Sequence, residues 1–554
     1  MEKKSSIAER YFEKPTRLKT WSGIPVKEVY TPDDVKELDY QTDIGNPGQY
    51  PYIRGIFPDM YRGRLWSMRE LCSYASPRAT NQRLKYLIDE GESAVNVIGD
   101  MPTMIGIDSD HPMSEGEVGV EGVPITSLKD MEIMTHGLNL QDISFTWSCY
   151  ITPVFALYVA AYEKQGADLS KMRGTFLNDT LVHYLTRYYP PQLPLDCGTR
   201  MVTDSMLWCA EHAPHYYATS IGPEGIREHG ATAAQEIALD FCIARRQIIG
   251  YLERGGNVED VGAKISFTHR VGIDIFEEAA KFRAGRRVWA EMLKEFGATT
   301  RKALSYKVHA FCKGSDLTCQ QHENNIIRIA YQALAAVLGG VQSIHTTSFD
   351  EPVCLPTEES VRIAMRTQQI LCYETGVVNT ADPLGGSYYV EWLTNELQEE
   401  ITKLMDQWKD DIAERVLDGR MLRTIIDEGA YRFQKEVETG ERVVVGVNKF
   451  TMPDEVERKQ MLHVIDEQEV NEHLNNVSEL KRTRDARTVV NALDNLRRVA
   501  ERREENIFPA LVEAAKAYAT VGEMMGVVRM AYGHDYDGFG LLEYPFQGLS
   551  GKAG

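Results

Sequence analysis

One arrangement repeats along the middle of the chain: a short apolar run, a polar tip and then an amphipathic helical segment. Between two such runs, for example, Ile327, Ala330, Leu334 and Leu338 keep the three-to-four spacing of a helix face. The runs are Ala94–Gly99, Ile143–Ser148, Gly174–Asp179, Ala218–Gly222, Lys264–Arg270, Lys307–Gly314, Val341–Asp350 and Val377–Asp382. Strands that alternate with helices pair in parallel, and eight such units close into a barrel. We therefore predict an α/β fold, a (βα)8 TIM barrel, in preference to a doubly wound open sheet, for which no GxGxxG tip is present.

The two ends of the 554-residue chain lack this repeat, and we predict three regions. Residues 1–50 are polar and irregular and are expected to form an N-terminal arm. Residues 51–430 hold the barrel, and residues 431–554 form a mainly helical C-terminal extension for subunit contacts. Within that extension, the apolar run in Glu438–Phe450 predicts one strand.

Composition argues against several classes of protein. A formal net charge of −20 disfavours a broad nucleic-acid surface, which needs clustered Lys and Arg. No run of 18 apolar residues appears, so we expect no membrane span. Nine dispersed cysteines without a CxxC pair are typical of reduced thiols in a cytoplasmic protein, and they predict no metal centre.

Several long strings of the sequence are unusual and specific. They are YPYIRGIFPDMYRGRLWSMR (50–69), IDSDHPMSEGEVGVEGV (107–123), ENNIIRIAYQALAAVLGGVQSIHTTSFDE (323–351), LPTEESVRIAMRTQQI (355–370) and DPLGGSYYVEWLT (382–394). Together they resemble the large-subunit barrel domain of the methylmalonyl-CoA mutase family over about residues 20–530. The resemblance implies a barrel with the CoA tail threaded along its axis, and adenosylcobalamin over the C-terminal ends of the strands, where it starts a radical 1,2-rearrangement.

In that family a separate module carries cobalamin and is marked by an Asp-x-His-x-x-Gly loop. No such loop occurs in this sequence, since Asp110-His111 has the wrong spacing. The resemblance therefore implies a partner chain, a small cobalamin-binding subunit, in an α2β2 heterotetramer.

The resemblance also assigns a set of residues to the CoA ester. Arg64, Ser67 and Arg69 match a basic and hydroxyl string on the CoA side, where Arg suits forked phosphate contacts. Lys264 keeps the charge of a family arginine but loses its fork. The complete set is Phe57, Met60, Arg64, Ser67, Arg69, Ser144, Thr146, Thr175, Leu177, Lys264, Ser266, Phe311 and Gln342.

Arg187 matches the family arginine that grips the free carboxylate of the acyl group. A buried carboxylate needs a charged partner, so this residue predicts a substrate with a second carboxylate. The alternative is an arginine on a helix surface. Towards cobalamin, the corresponding positions are Gly99, Glu228, Gly314, Thr347 and Glu351.

The departures from the family cluster in the acyl pocket. Leu71 replaces a tyrosine, Leu177 and Phe311 each replace a glutamine, and Glu224-Gly225 stand in place of a catalytic tyrosine and histidine. These positions, with Arg187 and the retained His309, are the predicted catalytic set.

Two interpretations of these departures compete. In one the chain is a non-catalytic CoA- and cobalamin-binding scaffold; in the other the pocket is enlarged for a bulkier, less polar acyl group. Consistently apolar replacements favour the second, because an unpaired buried polar group costs roughly 1–3 kcal/mol.

A carboxylate anchor beside an apolar pocket indicates a substituted succinyl-CoA and malonyl-CoA pair. Aryl substrates would be phenylsuccinyl-CoA and benzylmalonyl-CoA, and stacking on Phe311 and Trp147 favours them over branched alkylsuccinyl-CoA. The alternative is a methylmalonyl-, ethylmalonyl- or hydroxyacyl-CoA mutase with a displaced catalytic donor. For Glu224, pairing with an amino substituent and facing solvent both stay open.

Overall fold

The computed structural model describes residues 19–71, 73–186, 193–222, 225–452 and 466–547. The strands in this part of the chain are β1 Ser67–Met68, β2 Val95–Ile98, β3 Ser144–Ser148, β4 Arg173–Leu177, β5 Tyr216–Tyr217, β6 Thr219–Ile221, β7 Ile265–Val271, β8 Val308–Cys312 and β9 Ser343–His345. Every strand pair is parallel, in two sheets ordered β1-β9-β8-β7-β6 and β2-β3-β4-β5.

The two sheets meet at both edges. On one side only Ala218 separates β5 from β6, so these two short strands share one position. On the other side, a parallel bridge joins Leu71 to Asn96, and the Ser93 amide donates to the Met68 carbonyl at 3.2 Å. Eight strand positions therefore surround a common axis, as the predicted (βα)8 barrel requires.

One predicted strand is wrong, and another was missed. Val377–Asp382 forms turns and bends, because Asp382 is turned inward to pair with Arg54 and Arg283. The eighth position belongs to β1, whose Ser67 pairs with Ser343. Two residues are too few to show the alternation from which a strand is predicted.

The predicted strand in Glu438–Phe450 is also wrong. This segment contains only an isolated bridge between Val445 and Lys449. Gly446 has φ +87° and turns the chain back, and the Asn448 side chain accepts from the Val444 amide at 2.8 Å.

Helices follow the strands and cover the barrel. In chain order they are α1 Pro77–Asp89, α2 Met101–Ile105, α3 Leu128–Met134, α4 Thr152–Lys164, α5 Thr180–Thr186, α6 Leu195–His212, α7 Ala233–Glu253, α8 Val258–Val261, α9 Ile275–Glu295, α10 Arg301–Leu304, α11 Asn324–Leu338, α12 Glu358–Tyr373, α13 Tyr388–Trp408, α14 Ile412–Leu417, α15 Arg420–Ile425, α16 Tyr431–Thr439, α17 Glu467–Thr483, α18 Ala486–Glu501, α19 Phe508–Lys516 and α20 Val521–Ala531. Side-chain caps set the starts of several of them; Ser76, Thr232 and Asp274, for example, each accept a backbone N–H of the first turn. No helix of the described residues is both long and apolar enough to cross a bilayer.

Large apolar side chains of the strands point outward and form the core between barrel and helices. On β3, Phe145 and Trp147 are fully buried and pack on Tyr158 of α4, with the Trp147 and Tyr158 ring centroids 5.9 Å apart. Trp147 therefore faces away from the barrel axis, and the expected stacking of a ligand on this ring is wrong. The alternation of β3 instead turns Thr146 inward.

We predict that the buried Arg283 fixes the segment around Asp382. Its guanidinium pairs with Asp382 and, at 2.6 Å, with Glu391 of α13, and it has no exposed surface. Arg283→Met should lower the free energy of unfolding by about 3–5 kcal/mol, because Glu391 stays buried without its cation while Asp382 loses one guanidinium and keeps that of Arg54. Arg287→Met is the control: it breaks partly exposed pairs and should cost about 1 kcal/mol or less. Equal urea midpoints for the two variants would contradict this role.

Candidate active site

The inner wall of the barrel is lined by short hydroxyl side chains. Ser67, Ser144, Thr146, Thr175, Ser266 and Ser343 border one cavity of about 570 Å³, and Ser220 and Thr268 are hydrogen-bonded across β6 and β7 at 3.0 Å. Barrels of this class are usually filled by Val, Ile and Leu. The smaller residues leave the axis of this barrel open.

The cavity opens at the N-terminal ends of the strands. Its border combines the cations Arg64, Arg173, Lys302 and Lys307 with a single carboxylate, Asp142. Arg64 is exposed at this entrance, and its guanidinium has no ion-pair partner among the described residues. An entrance of this charge suits an extended ligand whose outer end carries several negative charges.

The structure brings most of the residues assigned to the CoA ester to this one cavity. Those that line it are Phe57, Met60, Arg64, Ser67, Arg69, Ser144, Thr146, Thr175, Ser266 and Gln342, together with His309. Leu177 and Phe311 follow Thr175 and His309 by two residues on β4 and β8, so they face the axis one layer closer to the C-terminal ends.

Arg69 lies against the inner wall of the barrel and is almost completely buried. Its Nε donates to Ser343 Oγ at 2.8 Å, and its two Nη groups donate to Thr146 Oγ1 at 2.6 Å and Ser144 Oγ at 2.8 Å. Burial lowers the pKa of Arg69 to about 10, so the group stays cationic at neutral pH. This guanidinium joins β1, β3 and β9 from the inside.

Lys264 lies outside the cavity, unlike its neighbour Ser266. It precedes β7, and its ammonium donates to the carbonyls of Ala213 at 3.0 Å and Tyr216 at 3.4 Å. Lys307, which the sequence analysis did not single out, lies in the cavity wall. Burial lowers the pKa of Lys264 to about 8 and that of Lys307 to about 7.

His309 borders the inner end of the cavity. Its Nδ1 lies 2.9 Å from Ser343 Oγ, a shorter contact than the 3.3 Å from that hydroxyl to the Ser67 carbonyl. If the hydroxyl proton goes to Nδ1, the ring proton is on Nε2, which is buried and has no hydrogen-bond partner. Burial, with Arg69 and His345 nearby, holds the pKa of His309 well below its ordinary value, so the ring is a neutral donor.

Phe311 forms the next layer and is already in contact on several sides. Its ring centroid lies 4.7 Å from that of His309 and 4.5 Å from that of His345, and the Arg270 guanidinium lies 4.7 Å from it. Leu71 is half-buried, and its amide donates to His345 Nδ1 at 3.2 Å.

The C-terminal mouth carries the residues assigned to cobalamin. Glu228 accepts from the Ser315 amide at 3.0 Å, and Glu351 is exposed. A Cβ at Gly314 would come within 2.6 Å of Glu351 Oε1, so a larger residue would displace the end of that side chain. Burial opposes ionisation of Glu228, but Arg270 and Lys313 bring its pKa below the ordinary value.

The other two positions are enclosed. Thr347 donates to the Cys312 carbonyl at 2.7 Å, and Gly99 is buried beside Thr103. Of the five positions, Glu228, Gly314 and Glu351 are therefore open. They offer carboxylate acceptors and a backbone that a ligand can approach, which fits the flat corrin ring of cobalamin with amides along its edge.

Three further predicted catalytic positions are Arg187, Glu224 and Gly225. Arg187 and Glu224 are outside the described residues. Gly225 is described, and its carbonyl accepts from the His229 amide at 2.9 Å. It presents no side chain to the site.

A model of the family described as methylmalonyl-CoA mutase matches residues 19–534. The chain is 37% identical to a methylmalonyl-CoA mutase of Rhizobium meliloti over 93% of its own length and 72% of the relative's. It is 36% identical to the 2-hydroxyisobutanoyl-CoA mutase large subunit of Aquincola tertiaricarbonis, covering 94% and 93% of the two chains. A methylmalonyl-CoA mutase large subunit of Streptomyces virginiae is 34% identical, with 93% and 71% covered.

We predict that binding of coenzyme A takes up a proton at Lys307. Phosphates near this ammonium stabilise its charged form and raise its pKa from about 7. Affinity should therefore be constant below pH 7 and fall as pH rises above it, by up to about tenfold per pH unit until the pKa of the bound state is reached. Calorimetric titration at pH 7 and pH 9 measures the difference.

Two variants make this test specific. Lys307→Gln should remove the pH dependence, whereas Lys264→Gln, outside the cavity, should keep it. If the affinity of Lys307→Gln for coenzyme A depended on pH as that of the wild type does, another group would take up the proton.

Proposed function

The chain belongs to the methylmalonyl-CoA mutase family, and we propose that it rearranges the carbon skeleton of a bulky dicarboxylic CoA ester. As a member it is a cobalamin-dependent acyl-CoA mutase, an isomerase. The identity of the acyl group is the part that we infer from the residues of the pocket.

The observation that carries this proposal is the open, hydroxyl-lined axis of the barrel. Cations at the N-terminal entrance suit the phosphates of coenzyme A, and the narrow polar interior suits its amide-bearing arm. An ester that enters from this side places its thioester beside His309 and its acyl group in the layer of Leu177 and Phe311.

His309 then acts on the thioester in place of the histidine that Gly225 replaces. Its Nε2–H is buried and unpartnered at the inner end of the cavity, so it would donate to the thioester carbonyl. Ser343 fixes the ring through Nδ1, and the neutral ring does not lose this proton to solvent. A donor aimed at the carbonyl stabilises charge that develops on its oxygen during rearrangement.

Adenosylcobalamin, when bound, supplies the radical that starts the rearrangement. In this chain Glu228 and Glu351 would accept hydrogen bonds from its amides, and Gly314 would allow its close approach. We propose that a small cobalamin-binding subunit brings the group to this face, in an α2β2 heterotetramer. The relatives from A. tertiaricarbonis and S. virginiae are both named large subunits, which supports such a partner. The cytoplasm remains our predicted location.

The acyl layer favours an alkyl over an aryl substituent. Trp147 faces outward, and the Phe311 ring is occupied by His309, His345 and Arg270. Neither ring therefore offers a face for stacking, whereas Leu71 and Leu177, two residues beyond the cavity-lining Arg69 and Thr175, would add aliphatic surface to this layer. A branched alkylsuccinyl-CoA fits this layer better than phenylsuccinyl-CoA.

A second candidate is a 2-hydroxyacyl-CoA substrate. It is favoured by the relative from A. tertiaricarbonis, which this chain matches over nearly its full length. Such a substrate lacks a free carboxylate, so the two candidates separate on Arg187→Gln, which should abolish turnover of dicarboxylic esters only.

We predict that the chain, mixed with a candidate small subunit and adenosylcobalamin, turns over a branched alkylsuccinyl-CoA with the highest kcat/KM. The panel should also contain phenylsuccinyl-CoA, methylmalonyl-CoA and 2-hydroxyisobutanoyl-CoA, with products separated by chromatography. Turnover of methylmalonyl-CoA alone would rule out the enlarged pocket. No turnover and no cobalt–carbon cleavage with any ester would favour the scaffold.

Leu71→Tyr should narrow the acyl layer. We expect kcat/KM for the alkyl ester to fall roughly five- to a hundredfold, since overpacking costs roughly 1–3 kcal/mol, while affinity for coenzyme A stays the same. Leu71→Ile, which keeps the volume, is the control. If Leu71→Tyr had the same kcat/KM as the wild type, the acyl group would not lie beside Leu71.

A further inference from the structure

The loop that carries Glu228 at the C-terminal mouth, residues 225–231, is tied to buried charged side chains on two helices of the barrel. Arg227, the residue before Glu228, is itself buried. Its Nη1 donates to the Ala231 carbonyl at 2.9 Å, across the loop, and its Nη2 donates to Glu278 of α9. Arg227 therefore fixes both the shape of this loop and its position relative to α9.

Arg227 belongs to a cluster of four buried charges, which we call the ion-pair cluster. Glu278 and Lys281 of α9 pair at 2.5 Å, and Lys281 pairs with Glu236 of α7 at 2.9 Å. Burial opposes ionisation of the two carboxyl groups, but Arg227 and Lys281 bring their pKa values below the ordinary range. Two cations thus balance two anions. Such a cluster contributes little net stability, since desolvation offsets much of the attraction between its charges.

The same cluster holds the backbone of β7 at Arg270. Glu236 Oε1 accepts from the Arg270 amide at 2.9 Å, and Lys281 Nζ donates to the Arg270 carbonyl at 2.6 Å. At the mouth, Arg270 Nε lies 3.4 Å from Glu228 Oε1. Both members of this pair are therefore held by the ion-pair cluster, Arg270 through its backbone and Glu228 through its neighbour in the chain.

We propose that Glu278 is a positioning residue of the cobalamin-facing mouth, which acts through Arg227 to place the Glu228 carboxylate. This inference rests on the proposed function, in which Glu228 accepts a hydrogen bond from a cobalamin amide. Glu278 makes the hydrogen bond to Arg227, whereas Glu236 Oε2 lies 3.8 Å from its Nε. An acceptor that is already in place loses little conformational freedom when the ligand binds, so its placement contributes to affinity.

The first measurement uses the purified full-length chain alone and follows hydrogen–deuterium exchange in the loop. Glu278→Gln keeps the shape of the side chain and removes its charge. We expect the amides of His229, Gly230 and Ala231, which are bonded within the loop, to exchange roughly tenfold faster or more, because Arg227 loses its anion. Glu278→Asp, which keeps the charge, should restore part of the protection.

The second measurement adds a candidate small subunit loaded with adenosylcobalamin. Glu278→Gln should weaken binding of this loaded subunit about tenfold or more, the effect of one misplaced charged acceptor. Affinity for coenzyme A, whose phosphates bind at the other end of the barrel, should stay within about twofold. In a Glu228→Gln background, Glu278→Gln should add no further loss, since the two residues then act as one unit.

Glu391→Gln is the matched control, since it breaks another buried ion pair of α9, with Arg283 at 2.6 Å, that does not involve the loop. It should change neither loop exchange nor affinity for the loaded subunit. Arg227→Lys is a second variant in case Glu278→Gln does not fold. It keeps the charge but cannot contact Glu278 and Ala231 together, so both effects should appear at smaller size.

The outcomes separate this inference from the proposed function. Wild-type exchange and affinity in Glu278→Gln, or equal losses in Glu391→Gln, would overturn the role of Glu278. A further loss in the Glu228→Gln background would overturn its action through Glu228. Failure of the wild type to bind either coenzyme A or the loaded subunit would overturn the proposed function itself.

Discussion

The site depends on the hydrogen bonds that hold the Arg69 guanidinium inside the barrel. A charged group there needs several acceptors, and the hydroxyl groups of Ser144, Thr146 and Ser343 supply them. The same short side chains that satisfy the guanidinium are too small to fill the axis. The same three residues therefore hydrogen-bond the buried guanidinium and keep the tunnel open.

Charge changes in steps along this axis. Exposed and partly buried cations stand at the N-terminal entrance, neutral His309 lies in the middle, and Arg270 shares the C-terminal mouth with Glu228 and Glu351. Such an order gives a CoA ester a direction, with its phosphates left at the entrance and its acyl group carried towards the cobalamin-facing end. Ser343 contacts both Arg69 and His309 and so connects the buried cation to the neutral ring.

Seven of the eight strand positions could be predicted from the sequence, because their apolar runs are long enough to show a pattern. The eighth could not, since β1 has two residues and is defined by pairing with β9 rather than by its own composition. The sequence also could not show which of Lys264 and Lys307 lines the cavity. Both precede a strand, and both carbonyls accept a strand amide, that of Thr219 for Lys264 and that of Phe267 for Lys307. The two differ in their side chains: the Lys264 ammonium donates to the Ala213 and Tyr216 carbonyls, whereas Lys307 borders the cavity.

The most direct measurement of the central claim is the affinity for coenzyme A after the axis is filled. Ser266 borders the cavity, so Ser266→Leu would restore the kind of side chain that usually fills such a barrel. Ser266→Ala, which removes the hydroxyl without adding volume, is the matched variant. The open axis predicts that Ser266→Leu loses affinity at least about a hundredfold at an unchanged melting temperature, while Ser266→Ala stays within about threefold. Full affinity in a folded Ser266→Leu protein would show that coenzyme A does not bind inside the barrel.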